Sequence, residues 1–284
     1  MTRKISGDAP QTKLPAGSTD SHIHIYHRDF PSQPGGPDCP SDFASVKEYR
    51  EVQKWLGLER VIVTNSNAHQ TNNDSLLYAL SQFGDSSRGI ACIRPDTAEK
   101  TLESYHNSGV RGARIMNLGG ATRLKDMLAV NQLIQPLDWS LIVQFDGNQL
   151  AEHTPLLNQI QGNYVFDHHG KFFESISVDG PELKQVLKMI DKGNCYFKLA
   201  ACYESSTAGY PNYTDVADIA KVIIKHAPER VLWGSNWPHV SSSSPDNTPC
   251  DATLLDTVCS WIPNQKVLEQ IFVENPARLY GFDK

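Results

Sequence analysis

Eight short apolar runs, each parted from the next by a stretch of helical period, constrain this 284-residue chain more than any other feature. The runs stand at 19–25, 60–64, 89–93, 110–116, 140–145, 164–166, 195–200 and 230–233. Helical period predicts helices at 45–56, 73–83, 97–106, 123–134, 149–160, 181–192 and 213–226, then at 252–261 and 264–272. Gly57 and Gly109 stop two of them and Pro181 opens another. A helix between two strands returns the chain to the same end of the sheet, so the strands pair in parallel. Eight such units at this length imply the α/β class and a (β/α)8 TIM barrel. An open doubly wound sheet is the competitor, but the first strand–helix link lacks G-x-G-x-x-G. Residues 1–18 read as a polar tail and 19–284 as one barrel domain.

A net charge of −6 argues against a general nucleic-acid or membrane-surface binder and leaves a small anionic substrate open. The apolar runs fall far short of a membrane span, and no apolar h-region follows Met1. Cys39, Cys92, Cys195, Cys202, Cys250 and Cys259 are scattered without a C-x-x-C pair, which implies reduced, buried thiols and a cytoplasmic protein. The Pro- and Gly-rich stretch 28–40 is a long loop, of the kind that is usually functional or mobile.

Barrel chemistry sits at the C-terminal strand ends. There the chain offers His22 and His24, then Asn65, Asn67 and His69, then Arg114 and Asn117. Strand five adds Gln144, Asp146 and Asn148, and strand six Asp167, His168, His169 and Lys171. Strand seven adds Lys198, Tyr203, Glu204, Ser205 and Ser206, and strand eight Asn236 and His239. Six of ten histidines fall at these ends.

Alternate residues on a strand share a face, so His22 and His24 enter the mouth together as ligands, catalytic groups or satisfied core histidines. Asp167-His168-His169-Gly170 follows a buried run and has little structural excuse. Arg114 lies inside an apolar run, so it either pairs with a buried acid such as Asp146 or Asp167 or binds an anionic ligand. Lys198 poses the same choice. Trp233 and Trp237 read as wall and packing, and the serines at 241–244 as a solvated loop. Neither a G-x-S-x-G elbow nor a G-x-x-x-x-G-K-[ST] loop occurs.

Asp20-Ser21-His22-Ile23-His24, Val165-Phe166-Asp167-His168-His169-Gly170, Gly234-Ser235-Asn236-Trp237-Pro238-His239 and Glu274-Asn275-Pro276-Ala277-Arg278-Leu279-Tyr280 together resemble the amidohydrolase superfamily. Within it the chain is most similar to the lactone-processing branch of pyrone-dicarboxylate lactonases and sugar-diacid lactone isomerases. The resemblance runs from about residue 19 to the end. It implies a barrel with its site at the strand ends, an H-x-H on strand one, and a metal-holding, water-activating Asp after strand eight. That position is Asn236, whose amide has no accessible basic form. Lys198 and Leu199 stand where many metal-dependent members carry a strand-seven His.

The resemblance therefore implies a lactone isomerase working without metal or other cofactor, by shifting an acyl group within an anionic sugar-acid lactone. Expected catalytic groups are His22, His24, His168, Asn236 and His239. Expected substrate-binding groups are Arg114, Gln144, His69, Lys198 and Tyr203. The alternatives are a lactone hydrolase using His168 as base, a sugar-acid sensor without turnover, and a metal-dependent hydrolase or decarboxylase.

Overall fold

A computed structural model describes residues 3–241 and 249–283. Strands β1 (Thr19–Ile23), β2 (Arg60–Thr64), β3 (Ser87–Ala91), β4 (Val110–Met116), β5 (Ser140–Gln144), β6 (Tyr164–Phe166), β7 (Cys195–Ala200) and β8 (Val231–Gly234) pair in chain order. Each lies parallel to the next. The ring closes just beyond β8, where the Asn236 N–H donates to the His22 carbonyl at 2.9 Å and the His24 N–H to the Trp237 carbonyl at 2.8 Å. Gly234 permits this approach: a Cβ there would stand 2.7 Å from the His22 Cβ.

The helices are α1 (Val46–Leu56), α2 (Asp74–Phe83), α3 (Glu99–Asn107), α4 (Met127–Ile134), α5 (Leu150–Leu157), α6 (Pro181–Asp191), the short α7 (Cys202–Ser205), α8 (Thr214–His226), α9 (Asp251–Cys259), α10 (Gln265–Glu269) and α11 (Asn275–Tyr280). Helix α1 shows why the period was readable. Val46, Tyr49, Val52 and Leu56 are buried, Ser45 and Glu48 form a capping box, and Gly57 ends it in the left-handed region.

β3 starts two residues before the apolar run, because the ladder to β2 begins at Ser87 and Arg88. Helices α7 and α11 are additions to the expected set, the second carrying Pro in its first turn. Inside the barrel, Ile62, Ile90, Ile142, Val165, Tyr196 and Leu232, one from each of six strands, cluster with Leu279, Tyr280 and Phe282. Phe282 lies under Arg60 and Arg88, at the N-terminal strand ends, so the C-terminus plugs that end and leaves the other for chemistry.

Residues 3–18 have no helix or strand but run along the barrel: Asp8 accepts from Trp55 Nε1 at 2.8 Å, and Gln11 and Thr12 donate to Asp256. Cys92, Cys195, Cys202 and Cys259 are buried, whereas Cys39 and Cys250 are partly exposed, and none is paired. Among the described residues no helix is long and apolar enough to cross a membrane. Trp233 and Trp237 are buried, as expected of wall residues. Positions 242–244 lie outside the described residues.

Candidate active site

His22 and His24 do meet at the mouth, with Nε2 atoms 3.3 Å apart. His24 Nδ1 lies 2.8 Å from the Thr64 carbonyl. A carbonyl only accepts, so His24 carries its proton on Nδ1 and turns a lone pair toward His22. Lys198 Nζ lies 3.2 Å from His22 Nδ1 and 3.2 Å from Asp167 Oδ1. An ammonium only donates, so toward Lys198 the His22 Nδ1 accepts and its proton stands on Nε2, with Asp167 Oδ1 further from Nδ1 at 3.6 Å. Lys198, His22, His24 and Thr64 thus form one line of matched donors and acceptors. Burial, then the Arg114 charge, depresses His24 to about 3, and burial holds His22 well below its ordinary value. Both rings are neutral imidazoles at neutral pH.

Asp167 anchors the other side. Burial would raise its carboxyl, but His168, the Lys198 ammonium and the nearby His22 imidazole hold it well below the usual carboxylate range. Its Oδ2 is 2.9 Å from His168 Nδ1. Lys198 is fully buried in this contact, with burial lowering its own affinity for the proton and Asp167 opposing that.

His168 and Asn236 both sit in the left-handed region, at φ +50° and +63°, which aims their side chains at each other across the mouth. His168 Nε2 is 3.2 Å from Asn236 Oδ1. Asn236 Nδ2 donates to Tyr203 Oη at 3.0 Å and to Glu204 Oε1 at 3.1 Å. Tyr203 Oη reaches His239 Nδ1 at 3.0 Å, and His239 Nε2 reaches Asp251 Oδ1 at 3.0 Å. Glu204 also receives the Lys171 ammonium and the Ser241 hydroxyl. Burial alone would raise it, but the His168 and Lys171 charges and these hydrogen bonds bring it to about 2.

Arg114 is buried yet pairs with no carboxylate among the described residues. Its Nη1 donates to the Asn65 carbonyl and its Nη2 to Gln144 Oε1, each at 3.3 Å, and its Nε has no partner among them. Asp146 instead caps its own turn, taking the Asn148 N–H at 3.0 Å. Beside Arg114 lies a narrow recess lined also by Asn65, Ser66, Cys92 and Thr122.

The expected residues therefore fall into three groups. His22, His24, His168, Asn236, Tyr203 and His239 belong to one network, with Lys198 behind it rather than open to the mouth. Arg114 and Gln144 stand together beside His24. His69 is turned elsewhere: Nε2 is 3.1 Å from the Phe30 carbonyl and Nδ1 3.2 Å from Ser66 Oγ, so it fastens the 28–40 loop. His169 packs on Phe197 and Trp261. Asp167, Glu204 and Asp251 complete the network without having been singled out as site residues. The first two stood at the ends of strands six and seven. Asp251, at the start of α9, gave no signal.

A closed parallel barrel with H-x-H at β1 defines an amidohydrolase-type barrel, and the chain belongs to the amidohydrolase family, which it matches over residues 19–282. It is 43% identical to the D-galactarolactone isomerase of Agrobacterium fabrum over 282 residues, covering 99% of this chain and 96% of that protein. It is 28% identical to the 2-pyrone-4,6-dicarboxylate hydrolase of Comamonas testosteroni, covering 95% of this chain and 92% of that one. An apo crystal structure from Agrobacterium tumefaciens matches it at TM-score 0.96 and 43% identity over 99% of each chain.

Many barrels of this superfamily hold a divalent ion. Donor atoms of His22, Asp167 and His168 here lie within 4.8 Å of one another. The Lys198 ammonium, however, already stands at 3.2 Å from both His22 Nδ1 and Asp167 Oδ1. The strand-eight position is an amide, Asn236. A metal ligand must be deprotonated, and a second cation here would face a fixed one. Among the described residues Asp167 Oδ1 and Oδ2 and His168 Nδ1 have no hydrogen-bond partner outside their ion pairs, while the Lys198 ammonium would oppose a second cation at this point.

Proposed function

We propose that this chain is a lactone isomerase that moves the acyl bond of an anionic sugar-diacid lactone from one hydroxyl of the substrate to another, without metal. The observation that carries this reading is the state of the acids at the mouth. Asp167 is held by Lys198 and His168, Glu204 by Lys171, Ser241 and Asn236, and strand eight supplies an amide. Among these groups no carboxylate is left free to activate water. The 43% identity to a D-galactarolactone isomerase supports the same substrate class.

In a 1,5-lactone of a galactarate-like diacid, the C4 hydroxyl oxygen bonds to C1 and the carbonyl electron pair moves to its oxygen. The tetrahedral carbon then collapses, the bond to O5 breaks, and O5 takes a proton. The hydroxyl gives one proton up, so no atom enters or leaves. The nucleophile is part of the substrate, so proximity is built in and modest proton transfer suffices. Arg114 binds the free carboxylate through its fork, with Gln144 beside it. On binding, the substrate carbonyl oxygen takes the His22 Nε2–H in place of the His24 lone pair as negative charge grows there. His168 gives the proton to O5 and takes that of the hydroxyl. Asn236 orients His168 and the sugar, while Tyr203 and His239 support Asn236. Six unpaired cysteines fit a cytoplasmic enzyme of sugar-acid breakdown.

Time-resolved proton NMR on galactaro-1,5-lactone tests this. The expected product is a second lactone that precedes any open diacid. Open diacid formed at the rate of lactone loss would instead make the chain a hydrolase, the reading favoured by its 28% identity to a pyrone-dicarboxylate hydrolase.

A further inference from the structure

The Asn236 carboxamide has two orientations that differ only in which end carries hydrogen. Three groups surround it: His168 Nε2 at 3.2 Å, Tyr203 Oη at 3.0 Å and Glu204 Oε1 at 3.1 Å. The imidazole nitrogen and the phenol can each give or take a hydrogen bond. A carboxylate can only take one. Glu204 is therefore the group that distinguishes the two ends, and it draws the NH2 to itself. The carbonyl oxygen must then face His168, and His168 must present an N–H rather than a lone pair.

We propose that Glu204 is a positioning residue that acts through Asn236 to hold a proton on His168 Nε2 in the free enzyme. Glu204 meets only donors: the Lys171 ammonium stands on Oε2, and Oε1 takes the Ser241 hydroxyl beside the Asn236 NH2. At the opposite nitrogen of His168 stands Asp167 Oδ2, an acceptor at 2.9 Å. The ring thus enters the cycle as a proton donor at the atom facing the substrate. Only this last consequence rests on the isomerase reading; the placement of the proton does not.

The test uses free protein with ¹⁵N-labelled histidine, the His168 signals being assigned by their loss in His168→Gln. Wild type shows a protonated Nε2. In Glu204→Gln the side chain can offer either end of its own amide, so Asn236 turns and the His168 Nε2 signal moves toward the unprotonated position. With lactone, kcat falls roughly ten-fold while KM stays within about two-fold, since a donor in the proton step is lost and the carboxylate clamp is untouched. Lys171→Met removes the ion pair but leaves Glu204, and the His168 spectrum stays as in wild type. If Glu204→Gln does not fold, Asn236→Gly removes the amide at a backbone angle glycine adopts freely, with the same expected shift. Unchanged His168 nitrogens in Glu204→Gln or Asn236→Gly would overturn the proposal. So would a Lys171→Met spectrum that copies Glu204→Gln. These spectra need no substrate, so they stand or fall apart from the lactone assignment.

Discussion

The Lys198 ammonium and the Asp167 carboxylate stand 3.2 Å apart with no exposed surface on either side chain. Removing one partner strands a charge without solvent. Lys198→Met is expected to lose roughly 3–5 kcal/mol of folding stability, read from the urea midpoint. Lys198→Met combined with Asp167→Asn should lose clearly less than the two single losses added together. A Lys198→Met protein with a wild-type midpoint would mean the two groups are not paired as ions.

Arg114 predicts the opposite. Its guanidinium is buried beside a carbonyl and an amide oxygen, with Nε unpartnered among the described residues, so without substrate the cation is uncompensated. Arg114→Met is expected to leave the melting temperature equal to or above that of wild type while raising KM for the lactone by about a hundred-fold, the loss of a charged hydrogen-bonded pair. Galactarate at about a hundred times its Kd should stabilise wild type by roughly 2.7 kcal/mol and Arg114→Met hardly at all. Equal thermal shifts in both proteins would remove Arg114 from the carboxylate site.

Arg114 and Lys198 also mark how far the sequence could be read. Both were cations inside apolar runs, each facing the choice between a buried acid and a ligand. The answer came from other strands in each case: Asp167 pairs with Lys198, and no acid among the described residues pairs with Arg114. Pairing across a barrel leaves no local trace. The strands themselves were legible because period and turn residues are local: β2, β4, β6 and β7 begin and end where the apolar runs do. His69 shows the limit at the site. Its place after β2 was readable, but the turn of its ring toward Phe30 depends on a loop whose path no pattern announces. Asp251 joins His239 from α9, beyond a stretch with no strand to place it.

Burial of neutral histidines sets an acid limit on the fold. His24 and His169 are brought from 6.5 to about 3 by burial first, and His22 is held well below 6.5 by burial. The unfolded chain takes these protons first. Their contribution is therefore complete above pH 6.5 and is lost as pH falls toward 3. Asp20 works in the other direction: burial raises it from 3.8 to about 6, so its contribution is complete below 3.8 and is lost as pH rises through 6. The histidines outnumber Asp20, so stability falls as pH drops from about 6 toward 4. Urea unfolding at several pH values checks the slope. His169→Phe should flatten it by about one proton, roughly 1.4 kcal/mol per pH unit. An unchanged slope in that variant would show that His169 is not buried neutral.

Asn236→Asp would restore the acid that the superfamily carries after strand eight, but in this chain it would set a second carboxylate where Glu204 now takes the amide N–H at 3.1 Å. Like charges that close do not both ionise, so one of the two should keep a proton and neither should serve as a free base. The single variant is therefore expected to be less stable than wild type by about 1–3 kcal/mol, from a buried group left unsatisfied, and to lose isomerase rate without gaining hydrolysis. Adding Glu204→Gln removes the opposing charge. The amide introduced at position 204 can then donate to the carboxylate introduced at position 236, and His168 donates to that carboxylate from the other side. An acid able to take a proton from water then stands at the mouth. The double variant should recover the lost stability and release open diacid from the lactone faster than wild type does in the same NMR assay. If Asn236→Asp alone hydrolyses lactone as fast as the double variant, Glu204 does not hold that position in check.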